Sequence, residues 1–216
     1  MSGRARNILL IALHMAGLVV LPFVVGSPRW ITIGNIIFYN IILASSWNLI
    51  MGYTGIFSFG HMAVVLLGGY ATALLTLKAG VPPVLALVMG GLCGALANFL
   101  LGALCLRFRG FYLTLVTWAF AEMTIAVLNN EYKITGGSMG LMAKGIFSGS
   151  GSLVANYFLG LGLATLFIVL LYYLIHSKVG IYLKSIRDDE AASEVMGVNT
   201  TWWKIFSFTC SGFWAG

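Results

Sequence analysis

Val84-Leu-Ala-Leu-Val-Met-Gly-Gly-Leu-Cys-Gly-Ala-Leu-Ala-Asn-Phe-Leu-Leu-Gly-Ala-Leu-Cys-Leu106 contains no charged residue. A helix of about 20 apolar residues crosses the ~30 Å hydrocarbon layer of a bilayer. This stretch is therefore predicted to span a membrane. Runs of the same kind lie on both sides of it: Ile8–Val25, Ile31–Met51, His61–Leu77, Phe111–Leu128, Asn156–His176 and Lys204 onward. The chain thus predicts an all-α, polytopic transmembrane bundle, with residues 1–216 as one membrane domain. Six runs are complete. The seventh breaks off at Ala215-Gly216, the expectation being a piece of a longer protein with further spans.

Composition excludes the other broad classes. Hydrophobic residues make up 60% of the chain and charged residues 8%, against about 25% charged in soluble domains. The net charge of +6 does not point to nucleic acid, because no arginine-aromatic patch falls on a solvent face. Cys93, Cys105 and Cys210 lie inside predicted spans with no His or Cys neighbour, so no metal is expected and they read as packing residues. Arg4 and Arg6 ahead of an apolar run resemble a secretory signal. Ile8–Val25 is too long for that, and no small-x-small cleavage site follows, so a retained first helix is expected.

Alternating the runs from an inside start places Arg4, Arg6, Arg107, Arg109, Lys178, Lys184, Arg187 and Lys204 on one side and Arg29, Lys78, Lys133 and Lys144 on the other. Eight against four agrees with the positive-inside rule and predicts a cytoplasmic N-terminus. The same alternation puts an unusual stretch in the cytoplasm: Ser185-Ile-Arg-Asp-Asp-Glu-Ala-Ala-Ser-Glu-Val-Met-Gly-Val-Asn199. Only six acidic residues occur in the chain, and Asp188, Asp189, Glu190 and Glu194 are four of them. The stretch predicts a short helix, with Ser185-x-x-Asp188 as its cap and Gly197 as a left-handed stop. Ala191, Ala192, Val195 and Met196 share one side of that helix, and Glu190 and Glu194 lie on another. Two readings are open on composition: a smooth knob that enters a groove on another protein, or a loop helix resting on the membrane.

Arg187-Asp-Asp-Glu-Ala-Ala-x-x-x-Met-Gly-Val-Asn199 resembles the cytoplasmic coupling loop of LivM-type permease subunits of branched-chain amino acid ABC transporters. Ser46-Trp-Asn-Leu-x-x-Gly-Tyr-x-Gly-x-x-Ser-x-Gly-His61 with Gly69-Tyr70 is similar to that family's early glycine-rich segment. Arg107-x-Arg-Gly-x-Tyr112 with Ala119-Phe-Ala-Glu122 is similar to its middle block, and Thr135-Gly-Gly-x-x-Gly-Leu141 to its external-loop signature. The resemblance covers about residues 35–216, in order. It implies a plasma-membrane importer subunit that performs no catalysis, holds no cofactor and leaves ATP to its partners. Those partners are a second permease subunit, two cytoplasmic ATP-binding subunits and an external solute-binding protein. The docking residues would be Arg187, Asp188, Asp189, Glu190, Ala191, Ala192, Glu194, Met196 and Gly197. The implied solutes are branched-chain amino acids, with urea and short amides carried by close relatives.

Met51–His61 is the first place to seek a solute path. Gly52, Gly55 and Gly60, with Thr54 and Ser58, make a poor continuous helix. Either a broken, re-entrant segment or a tight turn at the cytoplasmic surface fits. In a broken span the helix starting near Gly60-His61 can face a carboxylate. Glu122 is a carboxylate deep in a span, where a charge is costly and faces a cavity or a partner. It reads as a hydrogen-bonded tie between helices, a partner for a solute ammonium group, or a proton site. No second intramembrane acid serves as a relay, which weighs against a proton-driven carrier. Asn40, Ser45, Ser46 and Asn48 read as helix-helix glue, and Gly90-x-x-x-Gly94 with Ala95 and Gly102 as a close-packing face. The Gly-rich connection Asn129–Ala155 reads as a flexible loop or as a landing surface for an external protein. No Gly-Lys-Ser/Thr phosphate loop occurs. An ion-coupled secondary transporter or channel is the competing class, and a membrane enzyme the weakest, for want of a catalytic constellation.

Overall fold

The computed structural model describes residues 15–24, 27–105, 108, 110–142, 146–147 and 152–216. Among these, every regular element is helical. The helices are α1 (Met15–Val24), α2 (Pro28–Thr54), α3 (His61–Leu77), α4 (Pro83–Cys105), α5 (Phe111–Asn130), α6 (Tyr132–Thr135), α7 (Ser152–His176), α8 (Lys178–Asp188), α9 (Glu190–Val195) and α10 (Thr200–Ala215). By length and hydropathy, α2, α4, α5 and α7 can each cross a bilayer, while α1 and α3 are shorter. Only 15–24 of the expected first span is described, and Arg4, Arg6, Arg107, Arg109 and Lys144 lie outside the described residues, as do Gly145, Gly149 and Gly151.

α10 forms the axis of the bundle, packed between α2 and α4, with α3 against α4 and α7 against α2. In lipid there is little hydrophobic drive between helices, so close approach of small residues supplies the packing. A Cβ on Gly94 would stand 2.5 Å from the Gly212 carbonyl oxygen, and one on Gly102 would stand 3.1 Å from Phe208 Cβ. Polar pins fix the register. Asn98 Nδ2 donates to the Phe208 carbonyl at 2.7 Å, and the Ser211 hydroxyl donates to the Ser46 carbonyl at 2.6 Å. Two apolar cores result: Ile50, Ile56, Leu101, Leu113 and Phe208 at one place, and Ile31, Phe38, Tyr157, Leu161 and Ala164 between α2 and α7.

The helix ends sort into two groups. Thr54, Gly55, Gly110, Arg187 and Lys204 border one cavity at one end of the bundle. At the other end Lys78 Nζ donates to the carbonyls of Lys133 and Ile134, at 3.3 and 3.2 Å. This is the grouping that the alternating spans predict.

Residues 131–140 of the connection after α5 are more ordered than the flexible loop its glycines suggest. The Thr135 hydroxyl lies 2.6 Å from the Leu128 and Glu131 carbonyls and accepts from Gly137 N–H at 3.2 Å. Gly136, Gly137 and Gly140 all take positive φ, which only glycine adopts freely. The result is a folded turn over residues 131–140.

Candidate functional site

The site is built around a break in a span. α2 is helical through Gly52, where the Asn48 side chain lies over the glycine, so Gly52 belongs to the helix and not to the break. The helix stops at Gly55, which is left-handed at φ 74°. Residues 55–60 then run without helical structure, and side chains of α2 and α5 hold their backbone. Trp47 Nε1 donates to the Ser58 carbonyl at 2.9 Å. The Thr114 hydroxyl donates to the Phe57 carbonyl at 3.2 Å, and Phe59 N–H donates to Thr117 Oγ1 at 3.1 Å. α3 begins where His61 Nε2 meets Ser46 Oγ at 3.0 Å.

Ser46 precedes the end of α2 by eight residues, or about 12 Å of helix rise. The chain therefore turns at Gly55 and climbs back roughly that far before α3 starts. This is a re-entrant connector and not a surface turn, and it explains why α3 is only 17 residues long. Unwound backbone inside a bilayer must be satisfied by protein. Trp47, Thr114 and Thr117 do so, three residues that sequence reading missed. Their signal was present, since hydroxyls and an indole inside apolar runs seek partners.

The Ser46 hydroxyl donates to the Leu43 carbonyl at 2.9 Å, so its oxygen accepts the His61 Nε2 proton. His61 Nδ1 is buried and has no hydrogen-bond partner among the described residues. Ser58 is also buried, and Gly60 is pressed against Leu101.

The acidic stretch forms a hook below the break, made of two helices instead of the single one expected. Ser185 lies inside α8, its hydroxyl donating to the Tyr182 carbonyl at 2.9 Å, so it caps nothing. Asp189 is the cap of α9, its Oδ1 accepting from Ala192 N–H at 3.0 Å. The choice falls there because α8 buries Gly180, Leu183 and Ile186 against the bundle, and that face continues through Ser185. Gly197 ends α9 at φ 86°, with Gly197 N–H on Glu194 O and Val198 N–H on Ser193 O, the Schellman closure. Asp189→Ala is expected to cost about 1 kcal/mol of local stability. It should raise amide exchange in α9 and leave α10 unchanged.

The two faces of α9 differ as their residues dictate. Glu190 Oε1 pairs with Lys204 Nζ at 2.5 Å, and the Thr200 hydroxyl donates to Glu194 Oε1 at 2.6 Å. These bonds tie the acidic face to α10. Ala191 and Ala192 on the other face are exposed, with Val195 and Met196 exposed at 89% and 86%.

Arg187 joins hook to break. Its Nη1 donates to the Gly52 carbonyl at 3.0 Å, while Nε and Nη2 reach Asp188 Oδ1 at 3.0 and 2.9 Å. A Cβ on Gly55 would stand 2.8 Å from Arg187 Cγ. Gly55 is thus required twice, for its φ and for this contact. A cavity of about 480 Å³ opens here, bordered by Gly55, Phe57, Thr114, Arg187, Glu190 and Lys204.

Glu122 stands apart. It is the twelfth of the 20 residues of α5, on the face away from the bundle, and makes no hydrogen bond or ion pair among the described residues. Among the described residues, Glu122 therefore ties no helix to another. Of the other polar residues read as glue, Ser46 links α2 to α3 and α10, whereas Asn40 bonds back to Ile36 of its own helix. Cys93 and Cys210 are half-buried in α4 and α10, and no cluster of three potential metal ligands occurs among the described residues.

A helical bundle with several apolar crossings, two of its helices joined by a re-entrant connector that is tied to a polar hook, is a multi-pass membrane protein with the build of a solute permease. Residues 30–216 match the sequence model of the family described as branched-chain amino acid transport system / permease component, and the chain belongs to that family. Among curated relatives, the high-affinity branched-chain amino acid transport system permease protein LivM of Salmonella typhimurium is 29% identical over 90% of this chain. LivM of Escherichia coli is 28% identical over the same share. In both cases 52% of the relative is covered, so the chain spans about half the length of the curated relatives it matches. No solved structure matches it significantly.

Proposed function

We propose that this chain is the permease part of an ATP-driven importer of branched-chain amino acids in a bacterial or archaeal cytoplasmic membrane. Its N-terminus and hook are cytoplasmic. It performs no catalysis and binds no cofactor. Two separate ATP-binding subunits dock on residues 187–197, a second permease subunit completes the path, and an external binding protein delivers solute. The observation that carries this reading is the two-sided hook. Ala191, Ala192, Val195 and Met196 are offered outward, while Arg187 ties the same element to the helix end at Gly52.

The mechanism follows from that link. Movement of a docked partner displaces α9, and with it Arg187. The guanidinium holds the carbonyl end of α2 and lies against Gly55, the pivot of the re-entrant connector. Displacement there changes how residues 55–60 sit between α2 and α5, and so opens or closes the path beside them. Gly55, Ser58, Gly60 and His61 belong to this moving part, and Gly52 lies on the helix end that Arg187 holds.

The test places a short crosslinker on Met196→Cys in vesicles carrying the complete transporter. Capture of an ATPase subunit, together with uptake that needs ATP, is expected. Capture of lipid alone, or uptake without ATP and without an ATPase subunit, overturns the proposal.

A further inference from the structure

The exposed face of α5 carries one carboxylate at mid-membrane depth. α5 buries Leu113, Thr117 and Ala121 against the bundle. The opposite face, through Leu115, Trp118, Ala119, Glu122, Met123 and Ala126, is uncovered in this chain. Glu122 lies about 17 Å along a helix roughly 30 Å long. A carboxylate at the centre of a bilayer does not face lipid without a large penalty; such groups face a cavity or a charged partner. No described side chain supplies that partner.

The chemistry of the strip defines what fits it. One acceptor of positive charge sits among an indole, a leucine, a methionine and two small alanines. An aliphatic α-amino acid presents the complement, an ammonium group beside a branched hydrocarbon side chain. We infer that this face of α5 lines the solute path and that Glu122 receives the ammonium group of an aliphatic amino acid. The alanines at 119 and 126 leave room beside the carboxylate, and Leu115, Trp118 and Met123 supply apolar contact. The inference rests on the importer reading above and adds to it a solute-binding residue remote from the hook.

Two measurements on the complete transporter in vesicles test it. Glu122→Gln is expected to raise KM for leucine roughly 10- to 100-fold, the loss of one charge-assisted hydrogen bond, with a smaller change in maximal rate. Glu122→Asp should recover part of the loss. In a background with Cys93, Cys105 and Cys210 replaced by serine, Ala119→Cys should react with a hydrophilic thiol reagent, and leucine should slow that reaction. An unchanged KM in Glu122→Gln, or a lowered maximal rate with loss of the co-purifying second permease, would show a protein interface and overturn the inference. Reaction of Ala119→Cys only with a lipid-soluble maleimide would show a lipid-facing strip and also overturn it. Absence of any amino acid uptake by the wild-type transporter would sink the importer reading itself, an outcome distinct from the others.

Discussion

Glu190→Arg is expected to leave the bundle folded in the membrane and to cut uptake roughly a hundredfold, the upper range for a coupling of about 1–3 kcal/mol between sites. α9 has six residues, too few to persist as an isolated helix. What holds it is its acidic face. The Lys204 side chain is only 13% exposed and pairs with Glu190, so this ion pair is shielded more than an ordinary surface pair. Arginine at position 190 sets two cations against each other at that point. α9 then swings away from α10, and the strand of contacts through Arg187 to Gly52 loses its alignment. Exchanging both charges, Glu190→Arg with Lys204→Glu, should recover much of the activity. Uptake in reconstituted vesicles, beside a gel-filtration profile in detergent, checks both variants. Full uptake by the single variant would remove the pair from the coupling route.

Gly212→Leu is expected to have the largest effect on folding. A Cβ at Gly212 would lie 2.6 Å from the Gly94 carbonyl oxygen, and the Asn98 side chain crowds the same place. These neighbours belong to helix α4, so they cannot swing aside as a flexible side chain would. Overpacking a well-filled site costs about 1–3 kcal/mol and sometimes more. Here it also separates Asn98 from the Phe208 carbonyl, leaving a buried amide unpaired at a further cost of about 1–3 kcal/mol. The unfolding midpoint in detergent should fall by roughly 2–4 °C per kcal/mol lost, or the monodisperse species should disappear. Gly69→Leu is the control, because nothing stands within 4 Å of a Cβ at that position. Equal behaviour of the two variants would contradict the packing described for α4 and α10.

Much of the fold was readable because its causes are local. The run His61–Leu77 is α3 with the same ends, and Val84–Leu106 starts one residue inside α4, which is described through Cys105. Gly197 stops α9 as its position suggests. The cap was misplaced from Asp189 to Ser185 because both residue types cap helices equally well. Only the buried face of α8 decides between them, and the spacing of Gly180, Leu183 and Ile186 was the available signal. The loop after α5 read as flexible because glycine counts say nothing of φ. Thr135, bonded on three sides, turns those glycines into a folded turn.

By itself the sequence determined that this chain lives in a bilayer, where its long apolar helices lie to within a few residues, and that one polar hook hangs from an apolar bundle. Length, hydropathy and charge act residue by residue, so they are legible without coordinates. Only the tertiary structure decided that residues 55–60 climb back inside, that Arg187 grips the end of α2, and that Glu122 looks outward from α5. Each of these depends on groups brought together from distant parts of the chain: Ser46 with His61 and Ser211, Thr117 with Phe59, Arg187 with Gly52. Such pairings are set by how small residues let α4 and α10 close on one another, and no local pattern encodes that.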